Sequence, residues 1–162
     1  MSNPDLAFYL NKFTKLRVDK TKQGTMSGNA PHKPVLLISV IELIEKRVIK
    51  DNRIYLTPDL QQLFEENWRL LVTTENICQL INPFFHLKNE GFWYLVAQED
   101  HQATLNTLKT ISSFKKLTTL VAYAKLKENL FNLLLQTFAC QELKYLLLQH
   151  YFPETMQNYL YK

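Results

Sequence analysis

Glycine is almost missing from this chain, with 3 in 162 residues. Loops that cradle phosphate need several glycines, because only a residue without Cβ lets the backbone approach so closely. Neither GxGxxG nor GxxxxGK[ST] occurs. Cysteine is as scarce: Cys78 and Cys140 are too far apart for a paired-thiol metal site and read as two reduced, buried thiols. No segment approaches the ~18 consecutive apolar residues of a membrane span. The N-terminus MSNPDLAFYL has no basic stretch followed by an apolar one, so no membrane partner is expected and the cytoplasm is the expected compartment. Clustered acid–base residues are missing too. Glu65 and Glu66 read as a solvated helix face, and Glu42, Glu45 and Lys46 as helix-surface charges rather than a D…ExK nuclease set. His32, His86, His101 and His150 are dispersed along the chain. No metal, no cofactor and no catalytic residue is expected.

What is present is apolar and mildly basic. The chain is 46% hydrophobic and 21% charged, which excludes disorder, and its net charge of +4 permits a polyanionic partner. The length suits a single domain over 1–162. Apolar spacing near 3.6 predicts a helix over 5–16, followed by a polar, basic loop over 17–33. Pro34 suits a helix first turn and opens a second helix over 34–49, apolar nearly all round through Ile41. A short strand over 53–56 precedes a third helix, capped by Thr57 with Pro58 behind it, and a short fourth helix is expected over 74–80. Two aromatic-rich runs, 84–87 and 92–96, flank Gly91 and predict a β-hairpin. From His101 on the pattern is helical, over 117–135 and 142–151. The expected fold class is therefore α+β and mostly helical. It has a helical N-terminal arm over 1–33, a winged-helix-like core over 34–97 with a small antiparallel sheet or hairpin, and C-terminal helices over 101–153.

Binding chemistry concentrates at two prolines. In Ala30-Pro31-His32-Lys33-Pro34 each residue before a proline is pushed toward an extended conformation, so His32 and Lys33 read as a stiff dipeptide at a helix mouth. Helix N–H groups with a lysine and a histidine can hold an anion such as phosphate. The competing reading is a plain helix start with His32 and Lys33 solvated. Asn82-Pro83-Phe84-Phe85 sets a second rigid ring beside aromatics, and of Phe84, Phe85, Phe92 and Trp93 at least two are expected in the core. Arg17, Lys20 and Lys22 flank the loop that holds Gly28, and Lys109, Lys115 and Lys116 form another basic group. Both are candidates for DNA backbone or base contacts.

Three segments, in order, carry a resemblance that spans nearly the whole chain. They are Ala30-Pro31-His32-Lys33-Pro34-Val35-Leu36-Leu37, then Asn82-Pro83-Phe84-Phe85-His86-Leu87 with Asn89-Glu90-Gly91-Phe92-Trp93, then Tyr123-Ala124-Lys125-Leu126 through Tyr151-Phe152-Pro153-Glu154. Together they resemble the sulfur-binding domains of McrA-like type IV restriction endonucleases, which read phosphorothioated DNA. The resemblance implies a double-stranded DNA partner and a sulfur cavity built from His32, Lys33, Asn82, Pro83 and His86. It also implies an HNH nuclease domain working with the reader in cis or in trans. The chain departs from the family where it has Asn82 in place of a frequent tyrosine, Lys33 in place of a frequent arginine, and His86 where a small residue is usual. Sulfur leaves the phosphate charge in place but makes one corner larger and less hydrated. The apolar gain, a few tens of Å² at ~25 cal/mol/Å², is about 1 kcal/mol. Stronger discrimination must come from the desolvation penalty on oxygen. A general double-stranded DNA-binding domain and a protein-interaction module built on the apolar 130–151 half remain the alternatives.

Overall fold

The computed structural model describes residues 3–17 and 30–162. Helix α1 (Pro4–Phe13) is started by the Asn3 side chain, which accepts from the Leu6 N–H at 3.1 Å, with Pro4 in the first turn where its missing N–H costs nothing. It buries Tyr9 and Phe13. Helix α2 (His32–Glu45) is the centre of the molecule and is buried without a break from Pro34 to Ile44, as its all-round apolar pattern requires. Helix α3 (Pro58–Leu71) packs against it; Thr57 caps the Leu60 N–H at 3.2 Å. The structure continues with α4 (Ile81–His86), a 3-10 turn (Leu87–Glu90), β1 (Trp93–Ala97), α5 (Gln102–Thr107), α6 (Phe114–Leu120) and β2 (Val121–Leu126). Three more helices follow: α7 (Glu128–Leu134), α8 (Thr137–Tyr151), which packs on α1 and α2, and α9 (Met156–Leu160), which packs on α3.

The α+β, mostly helical class with a small antiparallel sheet is as expected, but the sheet is not a hairpin. Phe84 to Leu87, expected as a strand, forms the end of α4 and the start of the 3-10 turn. Phe84, Phe85 and Leu87 are all 0% exposed, a density of burial that an alternating strand with one wet face does not provide. Phe92 and Trp93 are buried as well, so all four aromatics belong to the core. The partner of β1 is β2, antiparallel in the register Trp93↔Leu126 to Val96↔Tyr123. β2 lies inside the stretch expected to be helical. Val121 and Tyr123 suit a strand, but the pairing itself joins residues distant in sequence and is not visible locally. Ile54 adds an isolated bridge to Ala124, and the Asn52 side chain extends it, accepting from the Leu126 N–H and donating to the Leu126 carbonyl at 2.8 and 2.7 Å. Gly91 turns the chain from the 3-10 turn into β1 with φ of +90°. No atom would obstruct an added Cβ there, so Gly91→Ala is expected to cost only the backbone strain, about 1 kcal/mol, read as a small fall in melting temperature.

Other expectations need correction. Residues 74–80 form no helix despite Thr73 and Thr74, because the segment is too short and too polar to bury a face. α2 ends at Glu45, four residues early; Arg47 takes φ of 62° and the Val48 and Ile49 N–H groups both reach back to the Leu43 carbonyl. α1 ends at Phe13 rather than residue 16. Cys140 is buried, but Cys78 is exposed in the irregular 72–80 stretch. Glu42, expected on a helix surface, is 2% exposed, because helices cover α2 on every side. Its carboxylate accepts from Lys46, Lys162 and the Tyr159 hydroxyl at 2.7, 2.9 and 2.7 Å. Among the described residues, no helix is long and apolar enough to cross a membrane, and no group of three His, Cys, Asp or Glu could hold a metal ion.

Candidate nucleic-acid interface

Two helices start in the same way beside one cavity. α2 begins His32-Lys33-Pro34 and α4 begins Ile81-Asn82-Pro83, each with proline in the third position. Proline fits a helix first turn, so both chain segments enter their helices at a defined angle. His32, Lys33, Asn82 and Pro83 line a cavity of about 510 Å³, together with Arg17, Ala30, Asn76, Gln79, His86, Asn89, Thr110 and Ile111. That volume lies within the range of small-ligand sites.

His32 is not a solvated residue. Its Nε2–H donates to the Ile77 carbonyl at 2.8 Å and its ring lies 4.7 Å from that of Trp68. Burial pushes its pKa below the ordinary value, and the bond to Ile77 offsets only part of this, so the ring is neutral at pH 7. Lys33 is also occupied. Its Nζ sits 2.6 Å from a carboxylate oxygen of Glu90, with the two side chains 11% and 0% exposed, and donates to the Arg17 carbonyl at 2.7 Å. The same Glu90 oxygen accepts the Arg17 N–H at 2.9 Å; its other oxygen has no hydrogen-bond partner among the described residues. The Tyr151 hydroxyl holds the preceding residue, accepting from Leu16 at 3.3 Å while donating to the Phe13 carbonyl at 2.6 Å. Burial pushes this phenol up to about 12, so it stays a donor. Lys33, Glu90 and Tyr151 thus clamp the main chain at Leu16 and Arg17, leaving the Arg17 side chain exposed at the cavity.

The remaining features are polar but uncharged. Asn76, Gln79, Asn82 and Asn89 bring four carboxamides to the lining, and Gln79 accepts the Asn82 N–H at 3.0 Å. Pro83, Ile111 and Ala30 supply apolar surface. His86 lines the cavity with its ring 5.0 Å from that of Phe85.

Six residues singled out from the sequence therefore meet in one place: Arg17, His32, Lys33, Asn82, Pro83 and His86. Lys109, Lys115 and Lys116 are exposed and do not line the cavity, though Thr110 and Ile111, next to Lys109, do. Lys20, Lys22 and Gly28 lie outside the described residues. Sequence reasoning missed the carboxamides Asn76, Gln79 and Asn89, which carry no spacing signal, and the role of Glu90. An acidic residue beside a turn glycine reads as solvent-facing unless its partner, 57 residues away, is known.

No family model matches the chain, and no curated protein matches it. Its fold is similar to that of a solved structure described as the sulfur binding domain and SRA domain of ScoMcrA complexed with phosphorothioated DNA. The superposition covers 94% of this chain and 46% of that one at a TM-score of 0.64 and 19% identity. The chain thus spans just under half the length of the protein it resembles, and what the two share is the fold.

Proposed function

We propose that this chain reads phosphorothioated double-stranded DNA, as the recognition module of a modification-dependent restriction system. The observation that carries the reading is the cavity between the first turns of α2 and α4, where Pro83 and Ile111 meet helix N-termini and a histidine held neutral. The first turn of α2 favours an anion, while the proline ring and isoleucine favour its least hydrated corner. The Lys33 charge at the cavity wall is offset by Glu90, and Arg17 attracts sulfur- and oxygen-bearing phosphates alike. Discrimination therefore rests on the poor solvation an oxyanion would find, with about 1 kcal/mol from apolar contact. Arg17, Lys109, Lys115 and Lys116, with Lys20, Lys22 and Gly28 from the segment that follows Arg17 in sequence, supply the sequence-independent contacts to the backbone. A nuclease acting in cis or in trans would perform any cleavage. The fold neighbour's phosphorothioated DNA supports the same ligand class.

A second reading has its own observation. Four carboxamides at the cavity can solvate an ordinary phosphate oxygen, which suits a duplex-binding domain without sulfur preference. A mobility shift with matched duplexes, one phosphorothioated and one not, separates the two. Tighter binding of the modified duplex is expected; equal affinity at moderate salt leaves only the second reading. Pro83→Ala is expected to weaken binding of the modified duplex by about 1 kcal/mol, from lost apolar contact and a loosened helix start, with binding of the unmodified duplex unchanged. A parallel loss on both duplexes, with a lower melting temperature, would assign Pro83 to the fold alone.

A further inference from the structure

We propose that the outer face of the sheet is a second nucleic-acid site, one that takes unpaired bases on Tyr55, Tyr94 and Tyr123 and the adjoining phosphates on Arg53 and Lys125. None of these residues lines the cavity, so the site is independent of the duplex-reading function.

The sheet builds this face by alternation. Trp93 and Leu126 are paired and point inward, 0% and 2% exposed, so the next pair, Tyr94 and Lys125, points out. Val96 and Tyr123 form the following outward pair. The third row comes from the bridge between Ile54 and Ala124, both fully buried. Residues beside an inward Ile54 face the other way, which sends Arg53 and Tyr55 out beside Tyr123. The rings of Tyr55 and Tyr123 lie 5.4 Å apart, and the Arg53 guanidinium carbon is 5.6 Å from the Tyr123 ring centre. Tyr55 and Tyr94 are 45% and 42% exposed.

Two exposed tyrosines, the half-buried Tyr123 and two cations, with Asp51 as the acid that acts on Arg53, form a surface of net positive charge complementary to a strand whose bases are free to stack. Exposed aromatic faces on adjacent strands hold bases, and interleaved Arg and Lys hold the backbone. A paired duplex could use the two cations but hides its base faces within its own stack, and an acidic peptide would leave the rings unused. The charge and the rings together therefore select an unpaired strand.

The test is fluorescence anisotropy of a labelled, unmodified single-stranded dT12 at low salt, with the full chain. Binding is expected, weakened about fivefold or more by Tyr55→Ala and by Tyr94→Ala, as loss of one stacked base predicts. Tyr123→Phe, which keeps the ring, is expected to bind as the wild type does. Lys125→Ala should lower the salt slope by about 0.7, as loss of one single-strand phosphate contact does. Pro83→Ala should leave dT12 binding unchanged, so failure here and failure of the duplex reading are separable. The proposal is overturned if the wild type does not bind dT12, if the two alanine variants bind it undiminished, or if polyglutamate displaces it as well as unlabelled dT12 does. Melting temperatures accompany each variant; Tyr55 and Tyr94, being exposed, are chosen because their loss should leave the core intact.

Discussion

Lys33→Met is expected to destabilise the protein by about 3–5 kcal/mol, the usual cost of removing one partner from a buried ion pair. Glu90 would keep only the Arg17 N–H, with its side chain wholly enclosed. For a chain of this size the melting temperature should fall by about 10 °C. Glu90→Gln should also destabilise, since it strands the Lys33 ammonium instead. The double variant Lys33→Met/Glu90→Gln keeps an acceptor for Arg17 and contains no buried charge at this point, so it should recover much of the loss. Calorimetry of the four proteins gives the coupling directly. Because the ammonium is already committed to Glu90, the salt slope of duplex binding should be the same in Lys33→Met as in the wild type at a temperature where both are folded. A slope lowered by about one would return Lys33 to the role of a phosphate contact, as the sequence alone suggests.

The second large effect is expected at Glu42. Burial by itself would raise the carboxyl, but hydrogen bonds from Lys46, Lys162 and Tyr159, with the Lys162 charge, override it and hold the group at about 2. A folded-state value below the ordinary 4.5 means that the unfolded chain takes up the proton first as pH falls. The contribution is therefore fully present above about pH 5 and disappears as pH drops toward 2. The displacement corresponds to about 3 kcal/mol. Glu42→Gln should lose most of this at pH 7 and little at pH 2. Urea unfolding of both proteins at the two pH values checks it: the gap between them should close with acid. A gap independent of pH would mean that Glu42 contributes packing rather than charge. Part of the network would survive the substitution, since Lys162 also bonds Glu66 and Asn67 at 3.0 and 2.9 Å, and Asn67 reaches Ser39 at 3.0 Å.

The two charged networks mark the limit of what can be read from residues in a row. Glu42 and Lys46 read as helix-surface charges, and Lys33 as an anion contact at a helix mouth. A charged residue on an apolar helix is indistinguishable from a solvated one until its neighbours in space are known: those of Glu42 include Tyr159 and Lys162 at the end of the chain, and that of Lys33 is Glu90 in the turn before β1. The Phe84 to Leu87 run illustrates the same limit. Aromatic residues suit strands and helices alike when buried, and a proline two residues inside a helix start resembles one beside a hairpin.

Local rules were enough where the chain speaks to itself. Thr57 as a cap, Pro34 and Pro58 as first-turn residues and the unbroken apolar run of α2 are consequences of backbone chemistry within a few residues, and each was legible; the Asn3 cap and Pro4 at the start of α1 obey the same rules but were not read from the sequence. So was the mostly helical α+β class, and so were six of the residues that meet at the cavity. Tertiary structure alone decided the rest. It chose Val121–Leu126 as the partner of β1, gathered Asn76 and Gln79 from an irregular segment and Asn89 from the 3-10 turn, and tied Lys33 to Glu90 rather than leaving it to solvent. The physical reason is common to all three. Strand pairing, cavity lining and burial of charge depend on which distant segments share a boundary, and that follows from packing the whole core around α2 rather than from the preference of any one residue.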